Sequence, residues 1–416
     1  MTEKFHQYTR AKAIVQQIEQ LAAITEQSGC VTRRYGSPAF VEGAHLVAQW
    51  MQEAGLQTRI DAIGNVRGRL VSPNPHAKTL VMASHIDTVI NAGKYDGPLG
   101  VLMGIDVAKQ IGQSTILLPF HIEIIAFADE EGVRFHTTFL GSQVVTGAFN
   151  PQLLAKQDAD GITLQQAMSV FGGTAADLPN EAIPANDWLG YFEMHIEQGP
   201  VLDNRNLPVA WVSDIAGQKR ILVHLTGFAG HAGTVPMSMR QDALCAAAEM
   251  VVAIEKFALQ QPNLVATVGT LQIPQSASNV IPGNVNFSID LRSNEPDLLA
   301  NAYQQLQQVC TNIAQLRNIA CNWQLVQHTA PVAAHAPFTQ LLQQAIAQAG
   351  FPDVSLVSGA GHDAVPISQV APIAMLFIRC YKGISHHPAE SCNENDIAAA
   401  LQVADNFLHL LIQQHT

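Results

Sequence analysis

The chain has 416 residues, 48% of them hydrophobic, so it can form a large core, and its length suggests two domains or one domain with an insertion. A formal net charge of −12 argues against nucleic acid or an anionic membrane surface as a partner, although local arginines can still bind a small anion. The six cysteines are scattered without a C-x-x-C pair and the first residues lack the apolar stretch of a signal peptide, so we expect a cytoplasmic protein with reduced thiols.

The first part of the chain alternates predicted helices and strands. Periodicity predicts helices over 10–23, 40–54 and 100–111, and apolar runs predict strands over 66–71, 79–84 and 120–128. The most apolar stretch, 116–128, is interrupted by His121 and Glu123 and is too short and too polar to span a bilayer. The alternation predicts an α/β fold with a mostly parallel sheet.

From about residue 217 the pattern changes to β-α-β-β-α-β, the order of a ferredoxin-like module. We predict strands and helices over 219–226, 238–259, 265–273, 285–292, 296–316 and 319–326. The module at 217–329 therefore divides the first domain into two parts, 1–216 and 330–416. After the module the chain returns to helix and strand alternation.

Two segments at the end of predicted strand 79–84 carry metal-binding residue types. His85 and Asp87 are two positions apart, so both side chains point to one face and Asp87 can accept the second ring N–H of His85. Asp96 lies in a loop with Gly97 and Pro98, where a carboxylate can reach two ions at once. Taken singly, a capping aspartate with an incidental histidine and an ordinary turn aspartate are the commoner explanations.

Three acids in a row, Asp129, Glu130 and Glu131, follow the apolar strand 120–128. They repel one another unless a cation binds there, and their position at the carboxyl end of a buried strand makes a merely solvated acidic turn less favoured. His195 and His386 lie farther along the chain, and each alone would more often be an ordinary histidine.

Together these residues are the inventory of a two-metal hydrolase. Imidazole and carboxylate are ligands that zinc or manganese prefers, one acid can bridge two ions, and one glutamate remains to handle a proton. Two other hydrolytic chemistries are disfavoured, because the sequence has no H-E-x-x-H helix and no G-x-S-x-G turn.

From about residue 60 to 400 the chain resembles the two-metal amidohydrolases of the aminoacylase and carboxypeptidase superfamily. The closer resemblance is to the branch that cleaves N-carbamoyl groups, which contains allantoate amidohydrolase, N-carbamoyl-L-amino acid hydrolase and β-ureidopropionase. The segments that carry it, in order, are SHIDTVINAGKYDGPLG, FADEEGVRF, HIEQGPVLD, GHAGTVPMSMRQD, SASNVIPG, SGAGHDA and GISHHPAE.

The resemblance implies two divalent ions, zinc or manganese, in each subunit. His85 and His195 would bind one ion, Glu131 and His386 would bind the other, and Asp96 would bridge them. In the wider superfamily the His195 position is usually acidic, and histidine followed by I-E-Q-G is a mark of the carbamoyl-cleaving branch.

The resemblance also implies that Glu130 is the general base and that Asp87 orients a metal ligand. His386 and His387 are adjacent, and only one can occupy the ligand position. The family pattern Ser-His-x-Pro selects His386.

The inserted module resembles the lid and dimerisation domain of this family, so we expect a homodimer. Its polar residues in matching positions are Gln218, His231, Asn279 and Arg292. The resemblance implies that His231 polarises the carbonyl oxygen and that Arg292 binds a substrate carboxylate with its planar fork, whereas for Arg292 alone a surface salt bridge is the alternative.

The expected substrate is a small ureido carboxylate, most of all allantoate, because GKYDG, SASNVIPG and SGAGHDA are most similar to the allantoate amidohydrolases. N-carbamoyl-L-amino acid hydrolase and β-ureidopropionase are the alternatives within the branch. A hypothesis from another class is a catalytically silent binding protein on the same scaffold, which the loss of a ligand or of the base would indicate. The sequence retains all of these residues.

Overall fold

A computed structural model describes residues 2–274 and 276–416, which form two compact units. One unit contains the residues up to Ser213 together with Ala334–Thr416, and the other contains Asp214–Ala333. The module predicted at 217–329 lies inside the second unit.

Helices and strands follow one another along the whole chain. The first unit begins with α1 (Thr2–Ala23), α2 (Pro38–Glu53), β1 (Gln57–Ile60), β2 (Val66–Leu70), β3 (Thr79–His85), α3 (Pro98–Gly112), β4 (His121–Phe127), α4 (Leu140–Val145), α5 (Leu164–Met168), β5 (Trp188–Ile196), α6 (Val201–Arg205) and β6 (Val209–Ile215). There follow β7 (Gly217–Thr226), β8 (Gly230–His231), α7 (Ala243–Leu259), β9 (Val265–Gln272), β10 (Val280–Ile281), β11 (Asn284–Ser293), α8 (Pro296–Leu316), β12 (Ala320–Thr329) and β13 (Val332–Ala333). The chain ends with α9 (Ala336–Gln348), β14 (Ser355–Ser358), α10 (Ala364–Ile367), β15 (Ile373–Ile378) and α11 (Glu394–His415).

The sheet of the first unit is parallel in its middle and antiparallel towards its edges. Its strand order is β1-β2-β4-β3-β5-β15-β6, and β4, β3, β5 and β15 run parallel to one another. Strands β3 and β4 are buried along their whole length, as their near-continuous apolar sequences require. This α/β sheet with parallel central strands confirms the predicted fold class, and it brings the carboxyl ends of four strands to one edge.

Helices cover the sheet of the first unit and form one large hydrophobic core with it. Helix α2 begins where Ser37 accepts a hydrogen bond from the Phe40 N–H and Pro38 occupies the first turn. At the other end of the chain, Phe407 of α11 stacks on Phe192 of β5 with ring centroids 4.5 Å apart.

Helix α1 begins at Thr2, well before the predicted start at Arg10. Its early turns lack an apolar stripe, because their buried side chains are the polar Gln7 and Arg10. Gln7 donates to Asp405 at 2.8 Å, and Arg10 donates to Asp106 at 2.6 Å and also to Asp405. These partners lie on α3 and α11, so local periodicity carries no sign of them.

The second unit has the predicted β-α-β-β-α-β order. Its four-stranded sheet is antiparallel in the order β12-β7-β11-β9, and side chains alternate between more and less buried along β11. The buried face packs under α7 and α8 as a second hydrophobic core. Strands β8 and β10 form a separate two-stranded ribbon.

Helix α7 begins later than the predicted Ser238. Asp242 caps it by accepting hydrogen bonds from the N–H groups of Leu244 and Cys245. Residues Met237–Met239 instead form a short 3-10 turn. Across residues 2–274 and 276–416, no helix combines the length and the apolar character needed to cross a membrane.

Candidate metal centre

The predicted metal ligands of the first unit meet at the carboxyl edge of its parallel strands. His85 is the last residue of β3, and His195 is the last but one of β5. Glu131 follows β4 in the chain, and Asp96 lies in the loop before α3. That loop needs Gly97, because its φ is 84° and a Cβ there would lie 2.5 Å from the His85 ring.

The first half of the site is a buried corner made by His85, His195 and Asp96. The Oδ1 atom of Asp96 lies 3.2 Å from His195 Nε2 and 3.6 Å from His85 Nε2. Ligand atoms from these three residues lie within 4.8 Å of one another, which is close enough to hold one ion. We call this group the buried corner.

The second half is made by Glu131, His386 and the same aspartate. His386 Nε2 lies 3.2 Å from Asp96 Oδ2 and 3.3 Å from Glu131 Oε1. The His386 side chain is 48% exposed, whereas Asp96 is buried. We call this group the open corner, and each corner uses a different oxygen of Asp96.

The residues present fit a pair of divalent cations. Among the residues that the structure describes, the buried atoms Asp96 Oδ1 and His195 Nε2 have no hydrogen-bond partner. Buried polar atoms without partners are costly, and a cation placed between them would satisfy both. Imidazole nitrogens with carboxylate oxygens are a donor set that suits zinc or manganese.

Backbone carbonyls orient both imidazoles of the buried corner. The Nδ1 atom of His85 lies 3.0 Å from the Asp87 carbonyl oxygen, and Nδ1 of His195 lies 2.9 Å from the Ile196 carbonyl oxygen. An Nδ1–H donated to each carbonyl leaves Nε2 as the lone-pair donor of each ring. The nitrogen of each ring that could bind a cation therefore faces Asp96.

The contact predicted for Asp87 needs correction. Its carboxylate Oδ1 lies 3.6 Å from His85 Nδ1, farther than its own carbonyl oxygen at 3.0 Å. The carboxylate instead accepts hydrogen bonds from the N–H groups of Glu130 at 3.0 Å and Glu131 at 3.1 Å. Asp87 thus fixes the turn that presents both glutamates.

A buried arginine, Arg33, holds the segment that follows β3 by hydrogen bonds. Arg33 donates from Nε to the Ile86 carbonyl oxygen at 2.8 Å, and its backbone N–H donates to Thr88 Oγ1 at 2.9 Å. Burial lowers the pKa of its guanidinium to about 10, although the nearby Asp87 opposes that shift. At neutral pH Arg33 is therefore a buried cation beside the acidic site.

The carboxylates of the site lie close together and repel one another, so positive charge is needed to stabilise them. Burial, reinforced by the neighbouring Glu131, raises the pKa of Glu130 well above its ordinary value. Burial opposes ionisation of Asp96 as well, but the facing imidazoles of His195, His386 and His85 lower its pKa well below the ordinary value. The same contacts with Asp96 and Glu131 raise the pKa of His386 to about 10. These surroundings favour the ionised form of Asp96.

Sequence reasoning assigned no role to several other residues of the site. Glu193 is fully buried two positions before His195 on β5, and the Tyr191 hydroxyl donates to it at 2.8 Å. His362 Nδ1 lies 3.9 Å from Glu193 Oε1, and its ring meets the His195 ring edge-on at 4.6 Å. The spacing of Glu193 and His195 places both on one face of a strand, a signal that could have indicated this neighbour.

The four predicted substrate residues of the second unit form two pairs. Gln218 and Arg292 are opposite each other on β7 and β11, and both donate to Asp290, Gln218 at 2.6 Å and Arg292 at 2.8 and 2.9 Å. His231 belongs to β8, and the neighbouring Ala232 N–H donates to the Asn279 carbonyl oxygen at 2.9 Å. Within its own unit, Arg292 therefore binds the Asp290 carboxylate with two hydrogen bonds.

Replacing Asp96 by Ala should lower metal content at both corners, because both corners share this carboxylate. Replacing His85 by Ala should lower mainly the content of the buried corner. Metal per chain, measured by plasma mass spectrometry after dialysis against manganese or zinc, distinguishes these outcomes. Asp160→Ala, in an exposed turn, is the control. Full metal content in Asp96→Ala would exclude a shared ligand.

Over most of its length the chain is similar to known proteins. Residues 81–410 match the family described as peptidase family M20/M25/M40. The N-carbamoyl-L-amino acid amidohydrolase of Geobacillus stearothermophilus is 38% identical over 389 residues, covering 93% of this chain and 95% of that protein. The allantoate deiminase of Arabidopsis thaliana is 37% identical over 435 residues, covering 95% of this chain and 81% of that protein.

A solved structure is similar over nearly the whole chain. The hydantoinase/carbamoylase family amidase from Burkholderia multivorans superposes with a TM-score of 0.89 at 31% identity, covering 96% of this chain and 97% of that one.

Proposed function

The chain belongs to peptidase family M20/M25/M40 and is an amidohydrolase acting on C–N bonds, and from that premise we propose that it cleaves the ureido bond of a small carboxylate, with allantoate as the preferred substrate. The observation that carries the proposal is the sharing of buried Asp96 between two corners, with Glu130 beside them. Ligand atoms of His85, Glu130 and Glu131 lie within 4.8 Å of one another.

We assign the metal ligands as one set for each corner. His85 and His195 would hold one divalent cation, Glu131 and His386 the other, and Asp96 would bind both. When bound, zinc or manganese would supply Lewis acidity that polarises the ureido carbonyl and lowers the pKa of water from about 15.7 to roughly 7.

Glu130 is the proposed general base. It accepts a proton from the attacking water while the water oxygen forms a bond to the ureido carbonyl carbon. It then gives that proton to the leaving nitrogen as the C–N bond breaks. Asp87 supports this role because it accepts the Glu130 N–H and so fixes the base against the site. From allantoate this single cleavage leaves a carbamate, and its breakdown completes the release of ammonia, carbon dioxide and a ureidoglycine-type fragment.

The second unit would contribute the substrate contacts, from the same chain or from a partner chain. His231 would stabilise the developing oxyanion, and Gln218, Asn279 and Arg292 would bind the polar groups of the substrate. Arg292 is proposed to hold the substrate carboxylate. Its two hydrogen bonds to the Asp290 carboxylate are the kind of planar contact that a substrate carboxylate would make.

A homodimer through the second unit is part of the proposal. Strand β9 is an edge strand of its sheet and carries the exposed apolar residues Val265 and Leu271. Helix α7 beside it exposes Val252 and Leu259. Edge strands with apolar residues favour pairing with another chain, and a second copy would cover these residues.

N-carbamoyl-L-amino acid hydrolysis is the second candidate function. It is favoured by the relative from Geobacillus stearothermophilus, which bears that name and is as similar to this chain as the allantoate deiminase of Arabidopsis thaliana is. β-Ureidopropionase activity is a further alternative on the same machinery. The candidate substrates differ in their carbon skeleton, and the residues proposed for hydrolysis do not distinguish between them.

An ammonia-release assay with manganese or zinc tests the proposed reaction on allantoate, N-carbamoyl-L-amino acids and 3-ureidopropionate side by side. We expect turnover of allantoate to be fastest. Glu130→Gln should lower kcat by about 10²–10⁴-fold with unchanged metal content, because only the proton acceptor is lost.

The outcomes separate the reaction class from the substrate. If an N-carbamoyl amino acid were turned over faster than allantoate, that compound would become the proposed substrate. No turnover of any ureido compound by the metal-loaded protein would support a silent binding protein. Activity of Glu130→Gln within a few-fold of the wild type would remove Glu130 from the base role.

Replacing Arg292 by Lys tests the carboxylate contact. The variant keeps the charge but loses the planar fork, and a charge-assisted hydrogen bond contributes about 1.5–3 kcal/mol. We therefore expect kcat/KM for allantoate to fall roughly ten-fold to a hundred-fold. The metals should remain bound, because Arg292 is not among the proposed ligands.

An uncharged amide analogue of the substrate is the control for Arg292→Lys. The wild type should turn it over poorly, and the variant should be little worse. Equal losses on the charged and uncharged compounds would mean that Arg292 acts through its pair with Asp290, and the carboxylate would then bind elsewhere.

A further inference from the structure

Phe139 has an unusual backbone conformation close to the acidic turn of the site. Its φ is 65°, and among the residues that the structure describes it is the one apolar side chain in the left-handed region. A bulky residue is rare in that region, and such strain persists only where the surrounding structure enforces it. The contacts of Phe139 therefore indicate what its ring is held for.

Hydrogen bonds to the acidic turn enforce this conformation. The N–H of Phe139 donates to the Glu130 carbonyl oxygen at 3.2 Å, and the N–H of Leu140 donates to the Asp129 carbonyl oxygen at 3.2 Å. Helix α4 begins at Leu140, and the Gln143 N–H donates to the Phe139 carbonyl oxygen at 2.9 Å. The backbone of Phe139 is thus fixed between the proposed general base and α4.

The ring of Phe139 extends from this turn to the loop after β14. A Cβ at Gly361 would lie 3.0 Å from Cζ of Phe139, closer than carbon atoms ordinarily approach, so the ring keeps its place because residue 361 is glycine. Gly361 is exposed and Phe139 is half-buried. The next residue, His362, contacts the His195 ring edge-on at 4.6 Å. The Phe139 ring therefore lies beside the buried corner.

A buried contact ties together the two segments that flank the ring. The hydroxyl of Ser142, in α4, donates to the carboxylate of Asp363, which follows His362 in the chain. Both Ser142 and Asp363 are fully buried. The ring is therefore held between the turn of the proposed base and the loop after β14.

Packing in the core is the simpler role for a phenylalanine, and the burial of this one argues against it. In the part of the chain that the structure describes, Leu140 belongs to the main hydrophobic core, whereas Phe139 does not pack against that core. A large apolar side chain that is held in a strained backbone at the edge of a polar site has no evident use in stability. Such residues are more often found at ligand-binding sites.

We propose that Phe139 forms an apolar wall of the substrate site and contacts the substituent on the carbon that bears the cleaved ureido group. The inference rests on the proposed function, in which Glu130 acts at the neighbouring ureido carbonyl. In allantoate the substituent is a second ureido group, which is planar and can lie flat on an aromatic ring. In N-carbamoyl-L-amino acids it is the side chain, and in N-carbamoylglycine it is a hydrogen atom.

Steady-state kinetics of the manganese-loaded full-length protein test the proposal with three compounds. Allantoate and N-carbamoylglycine differ only in the substituent, and N-carbamoyl-L-methionine carries an apolar one. Phe139→Leu stays apolar but loses the flat ring. We expect its kcat/KM for allantoate and for N-carbamoyl-L-methionine to fall about ten-fold, mainly through KM, because contacts to the substituent are lost. The value for N-carbamoylglycine should change by less than about two-fold.

Two further variants separate this role from a structural one. Asparagine tolerates a left-handed backbone, so Phe139→Asn relieves the strain while it removes the ring, and it should show the same selective loss. Phe5→Leu, at an exposed phenylalanine of α1, is the matched control and should retain wild-type kinetics. Metal content should be unchanged in all three variants, because Phe139 is not among the proposed ligands.

The alternative outcomes have distinct meanings. Equal losses on the three compounds would mean that Phe139 acts only through the turn of Glu130, which would overturn the inference and leave the proposed hydrolase intact. Unchanged kinetics in Phe139→Leu and Phe139→Asn would overturn it too. No turnover of any of the three compounds by the metal-loaded wild type would instead overturn the proposed function on which the inference depends.

Discussion

One buried carboxylate, that of Asp96, organises the site. Its two oxygens face different corners, with His85 and His195 on one side and Glu131 and His386 on the other. An isolated ionised carboxylate is costly to bury, and three surrounding imidazoles lower its pKa. The surrounding loops hold this carboxylate and its neighbouring side chains in place.

The parallel sheet places these neighbours. Strands β3, β4 and β5 are adjacent and parallel, so the residues at their carboxyl ends meet although they are far apart in the sequence. Asp87 then links two of these strand ends, because its carboxylate binds the backbone of the turn after β4. The last candidate ligand, His386, comes from the loop after β15, which is parallel to β5.

Local patterns in the sequence predicted part of the fold and part of the site. Apolar runs predicted β3 and β4 to within a residue at each end, and helix α8 was predicted at its observed bounds, because a Pro at its start and an amphipathic face mark it. The five candidate ligands came from residue type and segment resemblance. Contacts between distant segments could not be read this way. The buried polar face of α1, the Asp87 contact with the turn after β4 and the approach of the Phe139 ring to Gly361 all depend on tertiary partners.

The central claim is that one carboxylate is shared by two cations, and crystals of the zinc- or manganese-loaded protein test it most directly. Anomalous difference density, recorded at the absorption edge of the metal, locates the ions without any assumption about ligands. We expect two peaks, one bordered by His85 and His195 and one by Glu131 and His386, with an oxygen of Asp96 beside each. A single peak, or a peak with no contact to Asp96, would contradict a shared carboxylate.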